Sequence, residues 1–360
     1  MIKPIPLRKS RGRGKAAFVT VVLVLAAVAG AGWAGYNWTV REYQSPGPLQ
    51  APERIQVEQG ASVKSTLAKL ASQGVVRNLR AVQIYLHVKG LHPRIQIGTY
   101  EILAHASPAD IVSMFDQGRV VLQQLTIVEG TTFNDLRHAL DQDPAITHRT
   151  KDKSDDEVMM ALGHPGEFPE GRFFPDTYRF AEKTSDLEIL TMAYNAMDKA
   201  LQAAWQARGQ NLPIADAYQA LVLASVVEKE TGLPAERPRI AGVFVSRLRK
   251  GMRLQSDPTV IYGLGAKYDG DIRSKDLTTD TPYNTYTRGG LPPTPIALPG
   301  REALLAAVRP QESDELYFVA TGEGGHHFSR TLEEHNAAVK SYLDHLRSQQ
   351  ASAHTASAGR

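Results

Sequence analysis

Residues 223–231 read Leu223-Ala224-Ser225-Val226-Val227-Glu228-Lys229-Glu230-Thr231, an apolar run that ends in two carboxyls. From Ala220 to Val227 the chain carries no charge, at a length and composition that predict a buried helix. Glu228 follows at its end. A carboxyl group leaving a buried helix is partly desolvated, which favours its neutral form and raises its pKa. That is the property a general acid needs near neutral pH. The alternative is a helix that simply ends in a solvated Glu-Lys-Glu turn, because helices often end in charge. Glu230 is the rival carboxyl. Two residues apart on one helix means nearly opposite faces, so both cannot serve one reacting atom unless the helix ends between them.

A second helical pattern follows, with Ile240, Val243, Phe244 and Leu248 on one face, stopping at Gly251. Next comes Met252-Arg253-Leu254-Gln255-Ser256-Asp257-Pro258-Thr259-Val260-Ile261-Tyr262-Gly263, read as a loop held by Pro and Gly. Thr281-Pro282-Tyr283-Asn284-Thr285-Tyr286-Thr287 and Gly289-Gly290-Leu291-Pro292-Pro293 form another rigid polar-aromatic loop. Amides, hydroxyls and aromatic faces together suit a carbohydrate. Gln255, Ser256, Asp257, Tyr262, Asn284 and Tyr286 are the candidates for lining a cleft, against the plainer role of loop-stabilising hydrogen bonds. Asp257 before Pro258 also reads as a turn start.

Together, Ala224–Thr231, Val243–Leu248, Met252–Gly263 and Tyr283–Tyr286 resemble the endolytic murein transglycosylases, the YceG-like family. Glu170-Gly171-Arg172-Phe173-Phe174-Pro175-Asp176-Thr177-Tyr178 is similar to another family segment, and Leu316–Ala320, Gly324–Phe328 and His335-Asn336 to its C-terminal end. The resemblance implies a peptidoglycan lytic transglycosylase that cuts the bond between N-acetylmuramic acid and N-acetylglucosamine within glycan strands. It leaves 1,6-anhydro ends and terminates nascent strands. The resemblance assigns the acid to Glu228, with Glu230 among the substrate-binding candidates. Two alternatives stay open: a membrane-tethered glycan-binding scaffold of cell-wall synthesis, and a muramidase-type hydrolase using the same Glu. Peptidoglycan strands, the inner membrane and cell-wall synthases (penicillin-binding proteins) are the expected partners.

The N-terminus carries Lys3, Arg8, Lys9, Arg11, Arg13 and Lys15 with no acidic residue. Six of the 41 basic residues sit in this arm, and the other 35 face 38 acidic ones, so the remainder is acidic by three. Local basicity of this kind argues for a membrane-orienting arm and against a nucleic-acid enzyme. From Ala16 to Trp38 no residue is charged, about a bilayer's span, and Trp33, Tyr36 and Trp38 mark its far end. The expected topology is a single pass through the cell inner membrane, N-terminus cytoplasmic and catalytic region periplasmic. Ala27-Val28-Ala29 and Ala29-Gly30-Ala31 keep a cleaved signal peptide as the alternative.

The fold expected is α+β: a transmembrane helix, a small LysM-like α+β module and a larger α+β YceG-like catalytic domain. The parts are a basic arm (1–15), the span (16–38), a linker (39–53), the module (54–121), the catalytic domain (122–347) and a disordered tail (348–360). The module reads β-α-α-β, with a strand at 55–57, helices at 62–72 and 78–89, a strand at 95–102 and a third helix at 108–117. That pattern supports a small α+β unit, and the LysM likeness comes from the family. Residues 147–163 are charged and read as a mobile excursion.

No cofactor is expected and no metal site. The chain has no cysteine, so no thiol nucleophile or Cys metal site exists. Adjacent His326 and His327 in a strand point to opposite faces. No Gly-x-Ser-x-Gly surrounds Ser225 or Ser256.

Overall fold

The computed structural model describes residues 13–58 and 60–358 and divides into two compact units, one through Leu122 and one from Gln123. Residues 1–12 of the expected basic arm lie outside the described residues.

The first unit opens with α1 (Arg13–Gln44). Within it Ala17–Gln44 is long and apolar enough to cross a membrane, with a mean hydropathy of 2.2 and no burial of its most apolar stretch. The helix outruns the expected span and takes in the first residues of the expected linker. The cause is packing: Thr39 and Tyr43 are buried, and the Tyr43 ring stacks on Tyr85 at 4.1 Å. Then follow β1 (Glu53–Val57), α2 (Val63–Ser72), α3 (Leu79–Val88), β2 (Gly98–Ile102) and α4 (Pro108–Asp116). Ser62 and Ser107 start α2 and α4 with capping boxes, each side chain accepting from the backbone three residues on. β1 and β2 pair antiparallel with Ile55 opposite Tyr100, and Ile55, Leu67, Leu70, Tyr100 and Phe115 form the core. β2 begins three residues later than its alternating sequence suggests.

The second unit is mostly helical. β3 (Leu122–Thr126) pairs with β4 (Thr177–Ala181), and between them lie α5 (Phe133–Gln142) and α6 (Asp155–Ala161). Residues 147–163 are not an excursion. Ser154 caps α6, and Val158 and Met159 are fully buried. Arg137 donates to Asp155 Oδ1 at 2.9 Å and to the Thr150 carbonyl at 2.7 Å. Of the segment's charges, Asp155 makes one of these ties and Glu157 closes the capping box with Ser154.

Next come α7 (Asp186–Gln206), α8 (Ala217–Glu230), α9 (Arg237–Arg249), α10 (Asp257–Leu264), α11 (Ser274–Thr278) and α12 (Arg301–Val308). α8 is the central helix, and every residue from Ala220 to Glu228 is buried. Its apolar side chains meet those of α9 and α12 in one core, while Phe133, Met159, Phe173 and Ile189 form a second. Residues 257–264, read as loop, are the helix α10. Ser256 at the cap, Asp257 in the first turn and Pro258 beside it are helix-start signals. β5 (Tyr317–Ala320) and β6 (His326–Ser329) make an antiparallel hairpin, with Phe318 opposite Phe328. The last helix, α13 (Leu332–Ala358), carries helical backbone through the expected tail, where alanine and glutamine favour helix.

Candidate active site

α8 ends at Glu230, and Thr231 is extended. At 3.6 residues per turn, Glu228 and Glu230 point to nearly opposite sides. The two carboxyls meet different surroundings there.

Glu228 points into protein. Arg237 Nη2 donates to its Oε1 at 2.9 Å, and the Gly300 N–H donates to its Oε2 at 2.8 Å. Arg237 also reaches Glu129 at 3.6 Å. Gly300 caps α12, so Glu228 sits near that helix's positive end as well. A Cβ at Gly300 would fall 1.9 Å from Glu129 Oε1, so a larger residue there would displace the Glu129 side chain. Burial raises the pKa of Glu228, opposed by the Gly300 N–H and Arg237. Both oxygens are occupied by protein donors, and the residue ties α8 to α9 and α12.

Glu230 lines an open cavity of about 450 Å³. Ser256 Oγ donates a short hydrogen bond to its Oε1. Burial, with Asp257 nearby, raises its pKa to about 7, against the Ser256 bond and Arg247. The same cavity is lined by Gln255, Asp257, Tyr286 and Arg247, and on its far side by the β5–β6 hairpin with His335 and Asn336 of α13. Tyr286 donates to Asp257 Oδ1 at 2.6 Å. Arg247 is a scaffold: its guanidinium donates to the Leu316 and Leu254 carbonyls at 2.6 and 2.7 Å.

The expected lining residues thus divide. Glu230, Gln255, Asp257 and Tyr286 share this cavity. Ser256 is buried beneath it and holds Glu230. Asn284 is buried and organises the loop: its amide donates to the Asp276, Leu277 and Thr279 carbonyls and its oxygen accepts from the Tyr286 N–H. Tyr262 faces a different, larger cavity of about 980 Å³ together with Glu170, Phe133 and Lys229. In the sequence Glu170 stands out only as the first residue of a family-like segment. It is buried, accepts from the Phe133 N–H at 3.0 Å and the Tyr262 hydroxyl at 3.1 Å, and has its pKa raised by burial to about 7. The cue was weak: a lone Glu before Gly resembles any turn.

Ser225 is no nucleophile: its hydroxyl donates to the Val222 carbonyl and accepts from the Ile296 N–H in the core. Asp141, His148 and Asp186 lie within metal-ligand reach of one another, but the Asp186 oxygens already accept from Arg149, Thr150 and Leu187. His326 is paired with Glu236 at 2.8 Å.

A carboxyl at the end of a core helix, beside a cavity lined by aromatic and amide side chains, is an arrangement that acid–base enzymes use. A model of the YceG-like family matches residues 55–341, and the chain belongs to that family. It is similar to the endolytic murein transglycosylase of Bacillus subtilis, 31% identical over 80% of this chain and 84% of that one. The protein of the same name from Streptococcus pneumoniae is 26% identical over 92% of this chain and 66% of that one. A crystal structure of a YceG-like protein from Listeria monocytogenes, 30% identical, superposes with a TM-score of 0.52 over 79% of this chain and 98% of that one.

Proposed function

We propose that this protein is a lytic transglycosylase, a lyase acting on murein, in which Glu230 rather than Glu228 is the general acid. One observation carries the assignment: Glu230 faces an open cavity with its pKa raised to about 7, whereas both oxygens of Glu228 are held by Arg237 and Gly300. Protonated Glu230 gives its proton to the glycosidic oxygen between N-acetylmuramic acid and N-acetylglucosamine. The C1–O bond breaks and the muramyl ring becomes oxocarbenium-like. The muramyl C6 hydroxyl attacks C1, its proton returns to Glu230, and a 1,6-anhydro ring closes with no water consumed. One carboxyl suffices because the nucleophile belongs to the substrate. Asp257, a second carboxyl in the same cavity, favours one rival, a hydrolase with paired carboxylates.

Digestion of polymeric peptidoglycan in heavy-oxygen water separates the two. The expected products are 1,6-anhydromuramyl ends without solvent oxygen, at internal positions of the strand. Reducing muramyl ends carrying the heavy label would overturn the transglycosylase reading.

The same proposal places α1 in the inner membrane, with the catalytic unit outside and cutting nascent strands near their site of synthesis. The basic residues before the span and the aromatics at its far end support that orientation. The β1-α2-α3-β2 module is proposed to bind glycan, on the strength of its LysM likeness. A reporter fused after Arg347 tests the orientation, since it should be active only outside the cytoplasm.

A further inference from the structure

Gln255 has φ +53, in the left-handed region. Of the four described non-glycine residues with positive φ, it alone lines the Glu230 cavity. A long unbranched side chain gains nothing from this conformation, which glycine adopts freely, and strain of this kind concentrates at functional sites. The backbone is held there by the Gln255 N–H donating to the Thr285 carbonyl at 3.1 Å. The side chain is fixed too. Arg247 Nη1 lies 3.2 Å from its Oε1. A guanidinium only donates, so the carboxamide oxygen must face Arg247 and the NH2 group must face away. Among the described residues that NH2 makes no hydrogen bond.

A pair of N–H donors is thus held at the edge of a cavity that also contains two carboxyls, Glu230 and Asp257. The carboxyls disfavour an anionic ligand group. An acetamido group suits the site, because its carbonyl accepts from the amide and its N–H can donate to a carboxylate. We propose that Gln255 binds the acetamido carbonyl of an N-acetylated sugar beside the scissile bond and selects for N-acetylation. The proposal rests on Glu230 being the acid of this cavity.

The test compares kcat/KM on polymeric peptidoglycan and on the same material after enzymatic de-N-acetylation, for the wild type, Gln255→Gly and Gln255→Glu. Glycine removes the left-handed strain, so Gln255→Gly should melt no lower than wild type. Glutamate keeps the shape and lacks the NH2. Removing one neutral hydrogen bond predicts that the wild-type preference for acetylated strands exceeds that of either variant by about threefold to tenfold. A preference within about twofold of wild type in both variants would overturn the proposal. A purely structural role would lower both substrates equally. Glu230→Gln is run alongside: residual cleavage there refutes the acid assignment, while the acetyl preference of wild type and Gln255→Gly remains readable.

Discussion

Two carboxyls separated by one lysine illustrate how little residue identity decides. Glu228 and Glu230 have the same chemistry and adjoining positions, yet one accepts from an arginine and a backbone amide and the other faces a cavity. Glu230→Gln keeps the shape and removes the proton. It should abolish cleavage, a loss at or above the about 10²–10⁴-fold typical of general acid-base groups, with the melting temperature little changed. Glu228→Gln should instead retain most of its chemistry. The converse pattern in kcat would return the acid to Glu228. The pH profile follows from the same assignment. A general acid works protonated, so kcat/KM should fall as pH rises through about 7, the pKa of Glu230. A profile flat from pH 6 to 8 would refute it.

At the scale of elements, the ion pair of Glu228 and Arg237 joins α8 to α9, and the Gly300 amide joins both to α12. Arg237→Ala leaves a buried carboxylate without its cation, at a cost of about 3–5 kcal/mol. Without Arg237 the pKa of Glu228, already raised, rises further. Its burden is therefore absent at pH below the unfolded value and grows as pH climbs through the folded one. Melting curves of Arg237→Ala should approach wild type in acid and diverge toward neutrality; a gap independent of pH would mean the arginine acts by packing alone. Glu170 acts on other elements, joining the start of α5 to α10 through Phe133 and Tyr262. Its folded pKa of about 7 lies above the ordinary glutamate value of 4.5, so its protonated form stabilises the fold and that contribution is lost as pH rises through about 7. Glu170→Gln should flatten the fall of melting temperature between pH 4.5 and 7, which thermal scans across that range would show.

Across the whole molecule, the chain divides into two compact units, the first of which opens with an apolar helix. Because Thr39 and Tyr43 belong to the first unit's core, the place of truncation matters. Removing residues 1–36 should leave a soluble protein with its chemistry intact. Removing residues 1–44 also deletes Tyr43 from its stack on Tyr85, and burial lost with a core aromatic costs about 3–5 kcal/mol. Differential scanning calorimetry of the two truncations should show the lower transition in the longer deletion only. Equal transitions would mean that the end of α1 contributes nothing to the first unit.

Much of this was readable in the chain. Unbroken apolar runs dictate α1 and α8, Ser and Thr caps dictate where α2, α4 and α5 begin, and alternation with a Gly-rich turn dictates the β5–β6 hairpin. These depend on local periodicity and on hydrogen bonds between near neighbours. Only tertiary structure turned residues 147–163 from a charged excursion into a packed segment carrying α6, because Arg137 and Asp186 satisfy that segment from α5 and α7. It also separated Tyr262 from Tyr286 into different cavities and made Asn284 a loop scaffold. The choice between Glu228 and Glu230 is of this second kind. The sequence brings both to the end of one helix, but whether a carboxyl meets a cation or a cavity depends on Arg237 and Gly300 on one side and on Ser256 and Tyr286 on the other. Chain folding, not helix period, carries those groups there.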